Sequence, residues 1–404
     1  MDMASNQPDN LALTAEQLRE YSAAFNADRA NLVAANAAVS NGILQAATSY
    51  RGVRELPRTF SVELKQGSIT SQEHSGRCWM FASLNTLRYE LMHKWNLDDF
   101  EFSESYLFFY DKLEKSNFYL ENVLKTLDKT TDSRIFEAVN EGPADDGGWW
   151  QMFVALVKKY GLVPKEAYPE SSNSRDSSAF EQYLNTKLRE FAAELRDAHQ
   201  AGKSVEELRS LKTGQMSVVY RICAIAMGEP PTSFDLLLRV KDEGKDDAKA
   251  SESGTKSGID SRRQIVEHGI TPQEFYAKYV GEDLDDFVSL TNSPLASTPY
   301  YRRYQLAFVG NVAEAAPMDF INVPLDVFRK AAVDQLTAGH PIWFACDCAQ
   351  FSLRKAGIFD RGTVRVDELF GTEFASDKAH GSGIQRFAQQ PRHDAHRRQP
   401  RQGR

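Results

Sequence analysis

Residues 72–91, QEHSGRCWMFASLNTLRYEL, set a cysteine directly before a tryptophan, where a polar, glycine-containing loop turns into an apolar stretch with helical spacing. A thiol is a useful nucleophile only as its thiolate, and its pKa falls at a helix N-terminus, where backbone N–H groups point at the sulfur, and beside an imidazolium. Cys78 meets the first condition. Gln72, six residues upstream, can bring its side-chain NH₂ to the same point in space as the backbone N–H of Cys78. Together they would form an oxyanion hole, in which one donor is worth about 3 kcal/mol. The same residues also fit a plainer reading, with Cys78 a small apolar residue opening a core helix and Gln72 a solvated loop residue.

The elements that must position these groups follow from the flanking sequence. The chain has 404 residues, 42% of them apolar and 11% aromatic, a composition that folds and a length that allows two or more lobes. A net charge of −8 gives no global attraction to phosphate backbones or anionic membrane surfaces, so nucleic acid is not the expected partner. The N-terminus has neither the basic start nor the apolar core of a signal peptide, and no run approaches the roughly 20 apolar residues of a membrane span. A cytoplasmic location away from membranes is the expectation. Four cysteines, Cys78, Cys223, Cys346 and Cys348, are too few for a disulfide framework. Cys346 and Cys348 lie in FACDCAQF, which reads as a buried strand, and their neighbourhood offers no further ligands for a metal. No metal or cofactor is expected.

Thr14 and Gln17 form a capping box before a helix reaching about Asn41. Pro57 and the alternating TFSVEL suggest a turn and a short strand, and the polar loop to Arg77 leads into a helix from Cys78 to Lys94. In that helix Trp79, Phe81, Ala82, Leu84, Leu87, Leu91 and Met92 are spaced for one buried face. Residues 103–127 read as two further helical stretches, and DDGGWW breaks the pattern before a helix that Gly161 closes. Helical spacing returns from Phe180 to Met227, and the polar, Gly/Ser-rich residues 240–261 read as a flexible loop. Thr271 caps a helix, after which YQLAFVGNV, MDFINVP and HPIWFACDCAQF read as strands. From Arg386 the chain is rich in Arg, Gln, Pro and His and has little to bury, so it reads as disordered.

Gly76, Cys78 and Trp79 match three positions of the papain-type pattern C-G-(S/A)-C-(W/Y), with Ser75 where secreted papain-like enzymes carry a disulfide cysteine. More specifically, SGRCWMFASLN resembles the nucleophile segment of the bleomycin hydrolase and bacterial aminopeptidase C family. So do ESYLFFYDKLEKSNFYLENVL, DDGGWWQMFVALVKKYGLVPKEAYPES, ITPQEFYAKYV, LDDFVSLTNSP and HPIWFACDCAQFSLRKAGIFD, in family order from about Leu13 to Ala379. The resemblance implies an α+β, papain-like fold. Its expected parts are an N-terminal helical arm (1–60), a helical lobe with the nucleophile (61–180), a helical insertion and loop (181–265), an incomplete β-rich lobe (266–379) and a tail (380–404). It further implies a cytoplasmic, homohexameric aminopeptidase acting on peptides with free N-termini. By position it makes Cys78 the nucleophile and Gln72 the oxyanion-hole residue, with Gly147 and Gly148 bordering the substrate cleft.

A thiolate of this class needs a His as ion-pair partner and general acid, and an Asn to orient it. The family carries them in patterns like (S/T)-H-A-M and N-S-W-G, and this chain contains neither. Its histidines are His74, His93, His199, His268, His340, His380, His393 and His396. Residues 384–400 admit an encoding whose next reading frame gives FNDSLNSHAMMLTGVN, which resembles the family's catalytic-histidine strand. A frameshift between about Ala379 and Ile384 is therefore the expectation, with weak activity for the chain as written. The alternatives are a catalytically dead remnant or non-catalytic peptide-binding subunit, and an acyl or amide transferase with His74 within reach of Cys78.

Overall fold

The computed structural model describes residues 12–241, 263–346, 352–353 and 356–379, which fall into two compact units. One combines the chain up to Ser61 with the segment from Cys346, and the other runs Val62–Ala345.

In the first unit, helix α1 (Ala15–Ala27) starts with the expected capping box, Thr14 Oγ1 accepting from Gln17 N at 3.1 Å and Gln17 Oε1 accepting from Thr14 N at 2.9 Å. The single helix read from the sequence is in fact two. Asp28 leaves the helical region, and its carboxylate accepts from Ala30 N at 2.8 Å to cap α2 (Arg29–Asn41). An aspartate mid-run competes for backbone donors in this way. Neither helix buries a residue. Farther along, Ser49 N donates to Thr363 O (2.9 Å) and Arg365 N to Ala47 O (2.8 Å), joining the two stretches of this unit. Residues 59–64 form no strand, contrary to the alternation of TFSVEL.

The second unit is built on α3 (Cys78–Lys94) and α4 (Glu104–Lys125). The sequence assigns α3 one buried face, yet Met80, Ser83, Thr86, Arg88 and Tyr89 are buried as well. Burial nearly all round is tolerated because the polar side chains find partners within reach: Ser83 Oγ donates to Trp79 O (2.8 Å), Thr86 Oγ1 to Ala82 O (3.0 Å) and Arg88 to Ser68 O (2.7 Å). The stretch 103–127 is one helix rather than two, its N-terminus capped by Ser103 Oγ accepting from Tyr106 N at 3.0 Å. Helices α5 (Trp150–Tyr160), α6 (Ser178–Gln200) and α7 (Val205–Met227) contribute Phe153, Leu156, Leu184, Leu188, Leu195 and Val219 to the same core.

The β content is small and lies in the later half. Strands β1 (Phe234–Val240) and β2 (Arg263–Ile270) pair antiparallel, with Phe234, Leu236 and Leu238 turned inward. This hairpin flanks the expected flexible loop, whose residues 242–261 lie outside the described residues. A three-stranded sheet of order β3 (Leu290–Thr291), β5 (Asp319–Asn322), β4 (Arg302–Gln305) contains the expected strand of MDFINVP. YQLAFVGNV keeps strand geometry only to Gln305, and Phe308 adopts φ +60°. Residues 341–346 have no regular structure and Cys346 is exposed, so the buried-strand reading fails there; Cys348 and the tail from His380 lie outside the described residues.

Gly161 ends α5 as expected, with φ +72° and its N–H donating to Val157 O at 2.8 Å. A Cβ at this position would lie 2.3 Å from the Pro272 carbonyl carbon. Gly161→Ala is expected to destabilise the unit by about 1–3 kcal/mol through left-handed strain plus this clash. Guanidinium unfolding followed by circular dichroism measures it, and an unchanged midpoint would refute the account.

Candidate active site

Cys78 is the first residue of α3 and is exposed, while Trp79, Met80 and Phe81 behind it are buried. No acidic residue occupies the first turn of this 17-residue helix and no side chain caps it. The positive end of the helix dipole therefore faces the thiol, favouring its anion.

The residue before it is the best-held side chain of the region. Arg77 is 1% exposed and grips Glu170 with both ends of its guanidinium at 3.0 Å, while donating to Ser174 O at 2.7 Å and to Ser75 Oγ at 2.8 Å. The guanidinium also lies over the rings of Phe81 (5.1 Å) and Phe108 (5.0 Å). Ser75 Oγ in turn donates to Gln72 O at 2.8 Å. Glu73 takes φ +51°, uncommon for a non-glycine residue, and is held by Arg175 at 3.0 Å, while His74 N donates to Arg175 O at 2.9 Å. The loop 72–77 is thus docked on residues 170–175. Gln72 turns its carboxamide oxygen inward, where it is buried without a hydrogen-bond partner, leaving the NH₂ as the outward end.

A second buried centre joins this loop to the glycine pair. Asp146 Oδ2 accepts from Gly76 N (2.6 Å) and Ser177 Oγ (2.5 Å), Oδ1 meets Lys112 Nζ (2.6 Å), and the Asp146 carbonyl accepts from Trp79 Nε1 (2.6 Å). Burial is the largest influence on Asp146 and acts to raise its pKa, but the Lys112 ammonium and the hydrogen bonds from Glu181, Lys112 and Ser177 together overcome it and hold the carboxyl well below the usual range. Lys112 also meets Glu181 at 2.5 Å; burial, reinforced by Asp146, pushes Glu181 up to about 8 against the pull of that lysine. One turn on, Lys115 donates to the carbonyls of Asp145 (2.7 Å) and Gly147 (2.6 Å) and pairs with Asp111 (2.8 Å). Gly148 sits on Trp79, where a Cβ would come within 2.4 Å of the indole. Trp343 Nε1 donates to Trp79 O at 3.1 Å.

Cys78, Gln72, Gly147 and Gly148 are therefore tied into one region through Arg77, Ser75, Trp79 and Asp146. Among the described histidines, His74 and His199 are exposed, His93 Nδ1 contacts Tyr89 O (2.8 Å), His268 meets Asp235 (3.1 Å) and His340 meets Glu90 (2.8 Å). His380, His393 and His396 lie outside the described residues. Cys223 is buried in the core, which pushes its thiol up to about 12 and makes it inert. Arg77, Glu170, Lys112, Lys115 and Asp146 escape sequence reading. For Lys112 and Lys115 there is one signal, YLFFYDKLEKSNFYL, where Asp111, Lys112, Glu114 and Lys115 interrupt an aromatic helix that has no need of charge unless it is paired inside.

Lys112→Met leaves the Asp146 carboxylate buried without its cation, and an expected loss of about 3–5 kcal/mol follows, measurable by denaturant unfolding at pH 7. Glu181 has a raised folded pKa, so its contribution is fully present below its unfolded value, near 4.3, and is lost as pH rises through about 8. Parent stability should fall across that window by at most about 1.4 kcal/mol per pH unit relative to Glu181→Gln. Parallel pH profiles for the two proteins would rule this out.

Comparison with known proteins matches residues 12–385 to the Peptidase C1-like family. Aminopeptidase C of Lactobacillus delbrueckii subsp. lactis is 39% identical over 86% of this chain and 73% of its own length. Aminopeptidase E of Lactobacillus helveticus is 39% identical over 91% of this chain and 79% of its own. A crystal structure of PepW from Lactobacillus rhamnosis superposes with a TM-score of 0.86 at 36% identity, covering 93% of this chain and 80% of that one. The helix-rich α+β architecture agrees with that likeness. With an exposed cysteine at the head of a largely buried helix and sequence agreement along nearly its whole length, the chain belongs to the Peptidase C1-like family.

Proposed function

We propose that this chain is built as a thiol aminopeptidase, with Cys78 as nucleophile and Gln72 as oxyanion-hole residue. The observation that carries the reading is an exposed cysteine heading an otherwise buried helix, in a chain of this family. The Cys78 thiolate attacks the carbonyl carbon of the first peptide bond; the S–C bond forms and the carbonyl π electrons move to oxygen. The Cys78 N–H and the Gln72 NH₂ stabilise that oxyanion. Collapse breaks the C–N bond, the amine leaves with a proton from a histidine, and water then hydrolyses the thioester. Gly147, lacking a side chain, lets a peptide approach the backbone, while at Gly148, also placed at the cleft by resemblance, the space a Cβ would take is filled by Trp79.

The names aminopeptidase C and aminopeptidase E support peptides with free N-termini as substrates. The exposed Leu18, Tyr21, Val33 and Val39 of the two N-terminal helices support assembly of several copies, a hexamer by resemblance. Among the described residues no helix is long and apolar enough to cross a membrane, and together with Ser75 in place of a disulfide cysteine this supports a cytoplasmic site of action. The net charge of −8 argues against nucleic acid.

In the frame as written, residues 380–404 carry neither the histidine nor the asparagine pattern of the family. We place a frameshift there, so that the chain as written keeps its nucleophile but lacks the acid that releases the amine. Two proteins test this, the 404-residue chain and one translated in the next frame from about Ala379, each assayed with an aminoacyl-coumarin amide beside its Cys78→Ala variant. The expected result is hydrolysis by the frame-restored protein, abolished by Cys78→Ala, and at least about 10²-fold less by the chain as written. Hydrolysis that survives Cys78→Ala would overturn the nucleophile, and equal rates for the two proteins would overturn the frameshift account.

A further inference from the structure

Arg77 does more than fill a hole beside the nucleophile. Its Nε donates to Ser75 Oγ (2.8 Å), and that hydroxyl in turn donates to the main-chain carbonyl of Gln72 (2.8 Å). The other end of the same guanidinium is clamped on Glu170 at 3.0 Å twice and on Ser174 O at 2.7 Å. Donors of the planar fork point in fixed directions, so a group held at both ends cannot rotate, whereas a lysine would supply one movable point charge. Arg77 is also joined covalently to Cys78. One rigid plane therefore relates the backbone of Gln72 to the amide of Cys78.

The surroundings leave this plane little freedom. Arg77 is 1% exposed and the Glu170 side chain 8%, the guanidinium is bracketed by Phe81 and Phe108, and the strained φ of +51° at Glu73 needs an outside constraint to persist. We infer that Arg77, with Glu170 and the Ser75 relay, is the positioning element of the oxyanion hole, setting the separation of the Gln72 carboxamide from the Cys78 N–H. The inference rests on the roles proposed above for Cys78 and Gln72. It concerns the tetrahedral state, because a misplaced donor weakens the hold on an oxyanion while leaving the exposed thiol as nucleophilic as before.

The test separates these two properties in the 404-residue chain and needs no turnover. A dipeptide aldehyde with a free amine reports the oxyanion hole: the Cys78 sulfur adds to its carbonyl carbon, the C=O π electrons go to oxygen, and that oxygen sits where the hole would hold it. Iodoacetamide reports the thiolate alone, since S-alkylation expels iodide and forms no oxyanion. In Arg77→Lys and Glu170→Gln the aldehyde Kd is expected to rise at least about tenfold while the iodoacetamide rate at Cys78 stays within about threefold. Ser75→Ala cuts the relay without touching the buried ion pair, and a rise of about three- to tenfold is expected there. This third variant decides the matter if the charge variants fail to fold by circular dichroism. Aldehyde binding and alkylation falling by one common factor would overturn the inference, as would aldehyde binding unchanged in folded variants. A parent chain that binds the aldehyde no better than its Cys78→Ser variant would instead sink the assignment of Cys78, a failure separable from that of Arg77.

Discussion

The ion pair between Lys112 and Asp146 is the constraint on which the candidate site rests. Both groups are out of water, and an isolated charge in such a place is far too costly to persist, so each is viable only while the other stays put. That mutual requirement fixes α4 against the segment that leads into Gly147 and Gly148. The second oxygen of Asp146 then reaches the loop before Cys78 at Gly76, and its carbonyl holds the indole of Trp79, one residue past Cys78. A pair buried in this way adds little to net stability. Its value is geometric, because one carboxylate ties three separate stretches of chain to a single point.

Placing a cysteine first in a buried helix solves an electrostatic problem and raises a mechanical one. The helix dipole helps a thiolate only within the first turn, where the backbone is also joined to a loop that could otherwise wander. Secreted papain-like enzymes carry a disulfide cysteine where Ser75 stands. Here the same loop is held by hydrogen bonds through Ser75, Arg77 and Glu170. This hold does not depend on redox state.

The helices were legible where one local rule governed each: the capping boxes at Thr14 and Thr271, the glycine that ends α5, the apolar spacing behind Cys78. Reading failed where tertiary partners overrode local pattern. The alternating TFSVEL forms no strand, while the β1–β2 hairpin joins residues on either side of a long polar segment that hides their relation. Cys78 and Gln72 are singled out by the resemblance of SGRCWMFASLN to the family's nucleophile segment, since their local pattern also fits a core helix and a solvated loop. Arg77 and Glu170 lie 93 residues apart, and nothing in either neighbourhood announces the other.

Among the described residues two carboxyl groups are pushed close to neutrality, Glu104 to about 7 and Glu181 to about 8, and titration behaviour alone would nominate either as the acid for a leaving amine. Geometry removes both. Glu104 is 1% exposed, and burial is the first cause of its shift, so the property that makes its pKa suitable also keeps it from a substrate. Glu181 is bonded to Lys112 and linked to the nucleophile loop through Asp146, so a proton lost from it would disturb the ion pair that holds the loop. A perturbed carboxyl in this fold is thus a sign of structural pairing, and the group that protonates the amine has to be one that can stand at the surface beside the sulfur and still change charge near neutral pH. Among the side chains only imidazole does so without burial. The role proposed for Cys78 therefore calls for a histidine, and no carboxylate of the buried network can take its place.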